Sequence, residues 1–166
     1  MAEILETFPS AQRALFTRYH VGGCSSCGFQ PSDTLEAVCK SHNLLNVDEV
    51  IDHIKTSDDV DKKIQISVAD AAKELKQNPN VKLLDVREEY EHNQANIKGS
   101  MLVTQENLEQ IMAWPKDTAI LVHCHHGIRS MDAASYLIGH GFTNVRSITG
   151  GIEAWSQDVD PSVPKY

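Results

Sequence analysis

The chain has 166 residues, a length that suits one compact domain with a small appendage. Its formal net charge is −8. Its 41% hydrophobic and 23% charged residues are ordinary globular usage and exclude a disordered or collagen-like chain. The acidic balance argues against nucleic acid as a partner, and no uncharged apolar run approaches the roughly 18 residues of a membrane helix. The first residues also lack the basic and apolar regions of a signal peptide. We therefore expect a cytoplasmic protein with no membrane partner.

The first part of the chain carries a helical pattern. Apolar residues recur at helical spacing over Leu35–His42 and again over Val47–Ile54. Three helices are predicted, the first ending near His20. Residues typical of helix N-caps precede them: Ser10, Asp33 with Glu36, and Asn46 with Glu49.

The segment Thr56–Lys63 is polar, dense in charge and holds a single apolar residue, which is typical of a linker. We therefore predict a helical domain over residues 1–58 and a second domain over residues 59–166.

In the second domain, β-branched runs alternate with helical patterns. Runs such as TAILV are apolar on both faces, as in strands covered by helices on both sides. The fold class predicted is α/β, with a parallel five-stranded sheet flanked by helices and a small all-α N-terminal domain. The predicted strands are IQI, VKLLDV, SMLV, TAILVHC and NVRSI.

Cys124 lies where a predicted strand ends, a few residues before a helix predicted to start near Ser130. Open α/β sheets bind ligands at this edge, and a helix N-terminus stabilises a thiolate and holds an anion beside it. We therefore predict that Cys124 is a nucleophile. The residues that follow it supply donors, conformational freedom and positive charge for an anion: His125, His126, Gly127, Ile128 and Arg129.

Two other interpretations of Cys124 were weighed. A lone cysteine is usually a buried core residue, but here polar residues are crowded into the next five positions. A zinc site made by His123, Cys124, His125 and His126 is disfavoured, because alternate strand residues point to opposite faces and no spaced second ligand pair follows. We predict no metal at this loop.

Three motifs in the second domain resemble single-domain rhodaneses, a family of sulfurtransferases. They are LLDVREEYEHNQANIKGS (Leu83–Ser100), HCHHGIRS (His123–Ser130) and TGGIEAW (Thr149–Trp155). The resemblance implies that Cys124 carries a persulfide, that residues 125–129 bind substrate, and that Asp85 and Arg87 support the loop. It also implies a small sulfur-containing anion such as thiosulfate as donor, a small or protein thiol or cyanide as acceptor, and no cofactor.

Two alternatives share this fold. Phosphatase-like and arsenate-reductase-like enzymes separate Cys and Arg by five residues, whereas four separate Cys124 from Arg129, which favours the smaller sulfur substrate. A non-catalytic interaction or sulfur-carrier module is the other, and inactive relatives commonly lack the nucleophile that this chain retains.

The N-terminal part contains a CxxC pair, Cys24 and Cys27, in GGCSSCGF. This region resembles the small helical module known as the hybrid-cluster-associated redox disulfide domain, which implies a redox-active or sulfur-relay dithiol. Metal ligation stays open as an alternative, with Cys24 and Cys27 joined by Cys39 and either His20 or His42. Cys39 also falls on the apolar stripe of its helix, where core packing is its simplest role.

Overall fold

The computed structural model describes residues 1–22 and 28–166. The chain divides into two compact units, Met1–Lys63 and Ile64–Tyr166. No helix within the described residues combines the length and the apolar character that crossing a bilayer requires.

The described part of the N-terminal unit is helical, as predicted, and packs around a core that includes Leu15, Val38 and Val50. One helix near the N-terminus was not predicted, because it is short and has no capping side chain. The helices are α1 (Ala2–Thr7), α2 (Ala11–Tyr19), α3 (Leu35–Ser41) and α4 (Val47–Lys63).

Two of the three predicted caps need correction. Asn46 does accept a hydrogen bond from the Glu49 N–H, at 3.2 Å. The cap of α3 is Thr34 instead of Asp33, whose carboxylate accepts from the Gln30 N–H. Ser10 precedes α2, but its hydroxyl donates to Asp58 instead of capping the helix.

The predicted linker was wrong, because Thr56–Lys63 forms the last turns of α4. Two of its acidic side chains are buried and have partners: Asp58 accepts from Ser10 and pairs with Lys62, and Asp61 pairs with Arg13. These partners, which lie outside the segment or one turn along it, allow a charge-dense run to continue a helix. The division between the two units accordingly falls after Lys63, five residues beyond the predicted boundary.

The C-terminal unit is an α/β domain with a five-stranded, wholly parallel sheet in the order β1-β5-β4-β2-β3, which confirms the predicted fold class. Each of the five predicted strands is present, and helices alternate with them as predicted. The strands are β1 (Gln65–Ile66), β2 (Lys82–Asp85), β3 (Met101–Leu102), β4 (Ile120–His123) and β5 (Val145–Ile148). The helices are α5 (Val68–Gln77), α6 (Glu89–Gln94), α7 (Gln105–Met112), α8 (Ile128–Gly139) and α9 (Gly151–Asp158).

Strand β4 is central and buried on both faces. Ile120 and Val122 pack into the hydrophobic cluster on one face of the sheet, and Leu121 packs into the cluster on the other. Its last residue, His123, lies in register with Asp85 at the end of β2. The carboxyl ends of these parallel strands therefore place Cys124 beside the residues that follow β2.

Candidate active site

The Cys124 thiol lies just beyond the end of β4, buried with 1% of the residue exposed. The Gly127 N–H donates to its Sγ at 3.1 Å. The Ser130 hydroxyl lies 3.5 Å from the same sulfur and is hydrogen-bonded to the Ser147 hydroxyl at 2.8 Å. The hydroxyls of Ser130 and Ser147 thus form part of the polar surroundings of the thiol. The sequence analysis missed both residues.

The loop after Cys124 is short and leads directly into α8, which starts at Ile128, two residues earlier than predicted. Gly127 is the N-cap of α8 and has φ +97°, a left-handed conformation that favours glycine. Because Cys124 Sγ accepts a hydrogen bond from this N-cap residue, both the amide and the helix dipole stabilise negative charge on sulfur.

The N-terminus of α9 holds the outer side of the loop. The N–H groups of Ile152 and Glu153 donate to the carbonyls of Cys124 and His125, at 2.9 and 3.2 Å. These bonds bind the loop carbonyls, while the Gly127 N–H of the same loop donates to the sulfur. A Cβ on Gly151 would lie 2.3 Å from the Cys124 carbonyl oxygen, so the close approach requires glycine.

A buried carboxylate holds Arg129. Both terminal nitrogens of its guanidinium donate to the two oxygens of Glu91 on α6, at 2.6 and 2.8 Å. These hydrogen bonds lower the pKa of Glu91 to about 2 despite its burial. Sequence analysis missed Glu91; its only signal was one acid among several in EEYEHN. Substrate binding by Arg129 stays a prediction, and the structure adds a carboxylate partner for it.

Asp85 and Arg87, predicted as loop support, form a buried ion pair. Arg87 Nε and Nη2 donate to the two Asp85 oxygens at 2.9 and 2.6 Å, and Nη2 also donates to the Ala95 carbonyl at 2.7 Å. Burial raises the pKa of Asp85, but the hydrogen bonds from Arg87 and His92, together with the electrostatic interactions with His123 and Arg87, outweigh it, and the pKa is lowered. Arg87 also bonds the Tyr166 hydroxyl and the Glu91 carbonyl, which links this pair to the Arg129 partner.

His123 is fully buried beside the same carboxylate. Its Nε2 lies 3.9 Å from Asp85 Oδ2, and neither ring nitrogen has a hydrogen-bond partner among the described residues. Burial lowers its pKa to about 4, although Asp85 opposes the shift. His92, on α6, takes the closer position with Nδ1 at 2.8 Å from Asp85 Oδ2.

The remaining predicted loop residues line the surface. His125 is partly buried, its ring packed edge-on against Tyr166, with burial and then His126 lowering its pKa. His126 is exposed, and its Nδ1 lies 2.7 Å from Glu153 Oε2. Ile128 is 74% exposed, and its role in substrate binding stays a prediction.

The three N-terminal cysteines have different outcomes. Cys24 and Cys27 lie outside the described residues, so their predicted redox or relay role stays a prediction. Cys39 is 1% exposed within the core of its unit, which is the packing role expected from its stripe, and burial raises its pKa.

Comparison with known proteins identifies the second unit. The model of the Rhodanese-like domain matches residues 68–158, and these include Cys124, the loop and its supporting residues. The chain belongs to the rhodanese-like family. The match does not include residues 1–67, so the resemblance of the N-terminal part to a redox disulfide module stays a prediction.

Relatives of this rhodanese-like chain include proteins named as sulfurtransferases. The thiosulfate sulfurtransferase GlpE of Vibrio cholerae is 38% identical over 93 residues, which are 55% of this chain and 85% of the relative. The adenylyltransferase and sulfurtransferase UBA4 of Candida albicans is 33% identical over 120 residues, 67% of this chain but only 27% of the relative. A rhodanese-related protein of Thermoplasma volcanium has a solved structure that is 31% identical, with a TM-score of 0.50, and the match covers 60% of this chain and 96% of that structure. The family assignment is therefore to rhodanese-like sulfurtransferases.

Proposed function

We propose that the chain transfers sulfane sulfur from thiosulfate or a related donor to a thiophilic acceptor through a persulfide on Cys124. One observation carries the proposal: Cys124 Sγ lies at the start of α8 and accepts the Gly127 N–H at 3.1 Å. A sulfur in this position is stabilised as an anion, and the same stabilisation extends to a terminal persulfide sulfur.

The two half-reactions balance without a cofactor. The Cys124 thiolate attacks the outer sulfur of thiosulfate, a Cys–S bond to that sulfur forms, and its bond to the sulfonate sulfur breaks with release of sulfite. The persulfide then loses its outer sulfur to cyanide or a thiolate, and the electron pair of the S–S bond returns to Cys124. Backbone N–H groups fixed in position before the reaction stabilise the transferred charge without reorganisation.

Residues 125–129 are proposed to bind the donor. His125, His126 and Arg129 add positive charge or N–H donors around the loop, and Gly127 and Ile128 contribute backbone. Because Glu91 holds the Arg129 guanidinium, we propose that Arg129 attracts the anion electrostatically while its planar donors fix the loop.

The proposal is tested by comparing Cys124→Ser with Cys39→Ala, which removes the other cysteine of the described residues. Purified full chain mixed with thiosulfate and cyanide should produce thiocyanate, and thiosulfate alone should add one sulfur atom to the mass of Cys124. Cys124→Ser should lose both, and folded Cys39→Ala should keep both. A wild-type chain that neither forms thiocyanate nor gains sulfur from any sulfane donor would contradict the proposal and favour a non-catalytic module. Turnover of arsenate or a phosphate ester in place of thiosulfate would favour the oxyanion enzymes.

We further propose that Cys24 and Cys27 act as a redox or relay dithiol. One of the two thiols accepts the outer sulfur of a persulfide, and the second then attacks the inner sulfur of the new persulfide. This step forms the Cys24–Cys27 disulfide, releases the outer sulfur as sulfide, and leaves the dithiol to be restored by an external thiol. The support for it is the CxxC spacing and the resemblance of the surrounding segment.

Metal analysis and thiol counting of anaerobically purified chain decide between relay and metal ligation. A relay predicts that Cys24 and Cys27 hold no metal and that these two thiols disappear as sulfide appears after thiosulfate. Cys27→Ser should leave persulfide formation on Cys124 intact while slowing sulfide release. Stoichiometric zinc or iron lost in Cys24→Ser/Cys27→Ser would overturn the relay.

A further inference from the structure

Three metal-ligating side chains converge on the outer side of the active loop. They are His125 and His126, which follow Cys124, and Glu153 in the first turn of α9. One ligand atom from each lies within 4.8 Å of the other two. Among residues 1–22 and 28–166, this is the one group of three or more His, Cys, Asp or Glu side chains with that convergence.

The backbone fixes this group in place. The Glu153 N–H donates to the His125 carbonyl at 3.2 Å, and the neighbouring Ile152 N–H donates to the Cys124 carbonyl at 2.9 Å. Gly151 allows the first turn of α9 to pack directly on the loop. The three side chains therefore project from two segments that are joined by main-chain hydrogen bonds, so little order must be gained when a ligand binds.

The side chains retain the small freedom that a metal requires. Zinc bound tetrahedrally at about 2.0–2.1 Å places its ligand atoms roughly 3.4 Å apart. His126 Nδ1 and Glu153 Oε2 lie 2.7 Å apart, and their side chains are 60% and 53% exposed. Because these two side chains are exposed, their torsions can adjust toward the zinc spacing when an ion binds.

Contrary to the expectation of no metal at this loop, we propose that His125, His126 and Glu153 form a site for a zinc-class divalent ion, and that a bound ion inhibits sulfur transfer. Two imidazoles and one carboxylate with a fourth position for water are a donor set that zinc accepts. Inhibition follows because the ion occupies ring nitrogens of His125 and His126, two residues proposed to bind the donor, and holds their side chains on the outer side of the loop. This second clause rests on the proposed function.

Binding is measured on the full chain carrying Cys24→Ser, Cys27→Ser and Cys124→Ser, so that these three thiolates do not compete for the metal. Calorimetry with Zn²⁺ should give one site per chain. Glu153→Gln and His126→Gln, each added to that chain, should weaken it about tenfold or more. Glu109→Gln, which changes an exposed acid on another helix, should leave it unchanged. Co²⁺ should give visible d–d bands without the near-ultraviolet band of a thiolate ligand.

Absence of a Zn²⁺ site, or a site with equal affinity in all three added variants, would overturn the assignment. Inhibition is measured separately on Cys24→Ser/Cys27→Ser, which keeps Cys124. Zn²⁺ should suppress thiocyanate formation with the affinity found by calorimetry, and Glu153→Gln should shift that inhibition by the same factor. Binding without inhibition would refute the regulatory clause, whereas a chain inactive before metal is added would refute the proposed function and leave the binding result standing.

Discussion

At Gly151, the backbone of the active loop occupies the space that a side chain would need. Its φ is +57°, and a Cβ there would meet the carbonyl oxygens of Cys124 and His125 at 2.3 and 2.4 Å. Contacts below 3.0 Å to backbone atoms cannot be relieved by rotating a side chain, so the loop or α9 must shift. The residue therefore sets the distance between α9 and the nucleophile loop.

Gly151→Ala should consequently reduce both stability and sulfur transfer. Left-handed backbone costs a non-glycine residue about 1–2 kcal/mol, and overpacking adds about 1–3 kcal/mol. The matched control is Gly99→Ala, where φ is +87° and nothing lies within 4 Å of the added Cβ. Denaturant unfolding and thiocyanate assays should show a larger stability loss and a rate loss specific to Gly151→Ala. Equal effects in the two variants would mean that backbone strain alone matters at Gly151.

His123 should make the free energy of unfolding depend on pH. Burial lowers its pKa from 6.5 to about 4 in the folded chain. Below pH 6.5 the His123 imidazole takes up a proton in the unfolded chain, whereas in the folded chain it stays neutral until about pH 4. The free energy of unfolding therefore decreases as pH falls from 6.5 to 4. The shift corresponds to a loss on the order of 3 kcal/mol. Urea unfolding between pH 7 and 4 should show a shallower decline in His123→Leu, and an unchanged decline would contradict this origin.

At the scale of elements, α6 connects the end of β2 to the start of α8 through Glu91. Its carboxylate accepts both Arg129 bonds and lies 3.3 Å from the Tyr166 hydroxyl that donates to it. Arg87 meanwhile donates to the backbone of α6. One buried helix residue thus couples the support at β2 to the helix that begins behind Cys124.

Glu91→Gln should loosen this coupling. A hydrogen bond to a charged group contributes about 1.5–3 kcal/mol, and the lower end applies because the Arg129 side chain is 45% exposed and screened. We expect a comparable loss of stability at pH 7 and about a tenfold loss in the rate of persulfide formation. Glu89→Gln, an exposed acid on the same helix, should change stability by less than about 0.5 kcal/mol.

The same variant has a pH signature. The pKa of Glu91 falls from 4.5 to about 2, chiefly through Arg129, so its stabilisation is complete above pH 4.5 and is lost as pH falls toward 2. Wild type and Glu91→Gln should therefore converge in stability over that range. A difference that stays constant from pH 7 to 2 would indicate a packing defect instead of a lost ion pair.

The elements of the C-terminal unit could be predicted because its strands and helices have clear local signals. Buried strands appear in the sequence as continuous apolar runs. Cys124 was recognisable because several polar residues follow it directly at the end of a predicted strand. Glu91 and Gly151 could not be predicted as site residues, because their roles depend on contacts with residues 38 and 27 positions away. Thr56–Lys63 was misassigned for the same reason, since Ser10 and Arg13 bind its buried acids.

At the scale of the whole molecule, the order of the sheet sets where a working C-terminal unit must begin. The rhodanese-like match starts at residue 68, yet β1 precedes it and pairs with β5. The N–H groups of Ser147 and Thr149 donate to the carbonyls of Ile64 and Ile66, at 2.7 and 2.9 Å. Thr149 directly precedes the glycines that contact the active loop, so β1 supports the loop from the edge of the sheet.

Two fragments should separate the contribution of β1 from that of the N-terminal unit. Residues 64–166 keep the whole sheet and should unfold cooperatively and form the Cys124 persulfide. Residues 68–166 lose the two backbone hydrogen bonds from β5, the buried Ile66 side chain and the Ser67 cap of α5, which should cost on the order of 3 kcal/mol or more. Denaturant unfolding and sulfur uptake by mass spectrometry compare them directly. Equal stability would show that β1 is dispensable, whereas a 64–166 fragment that fails to fold would show that the C-terminal unit depends on residues 1–63.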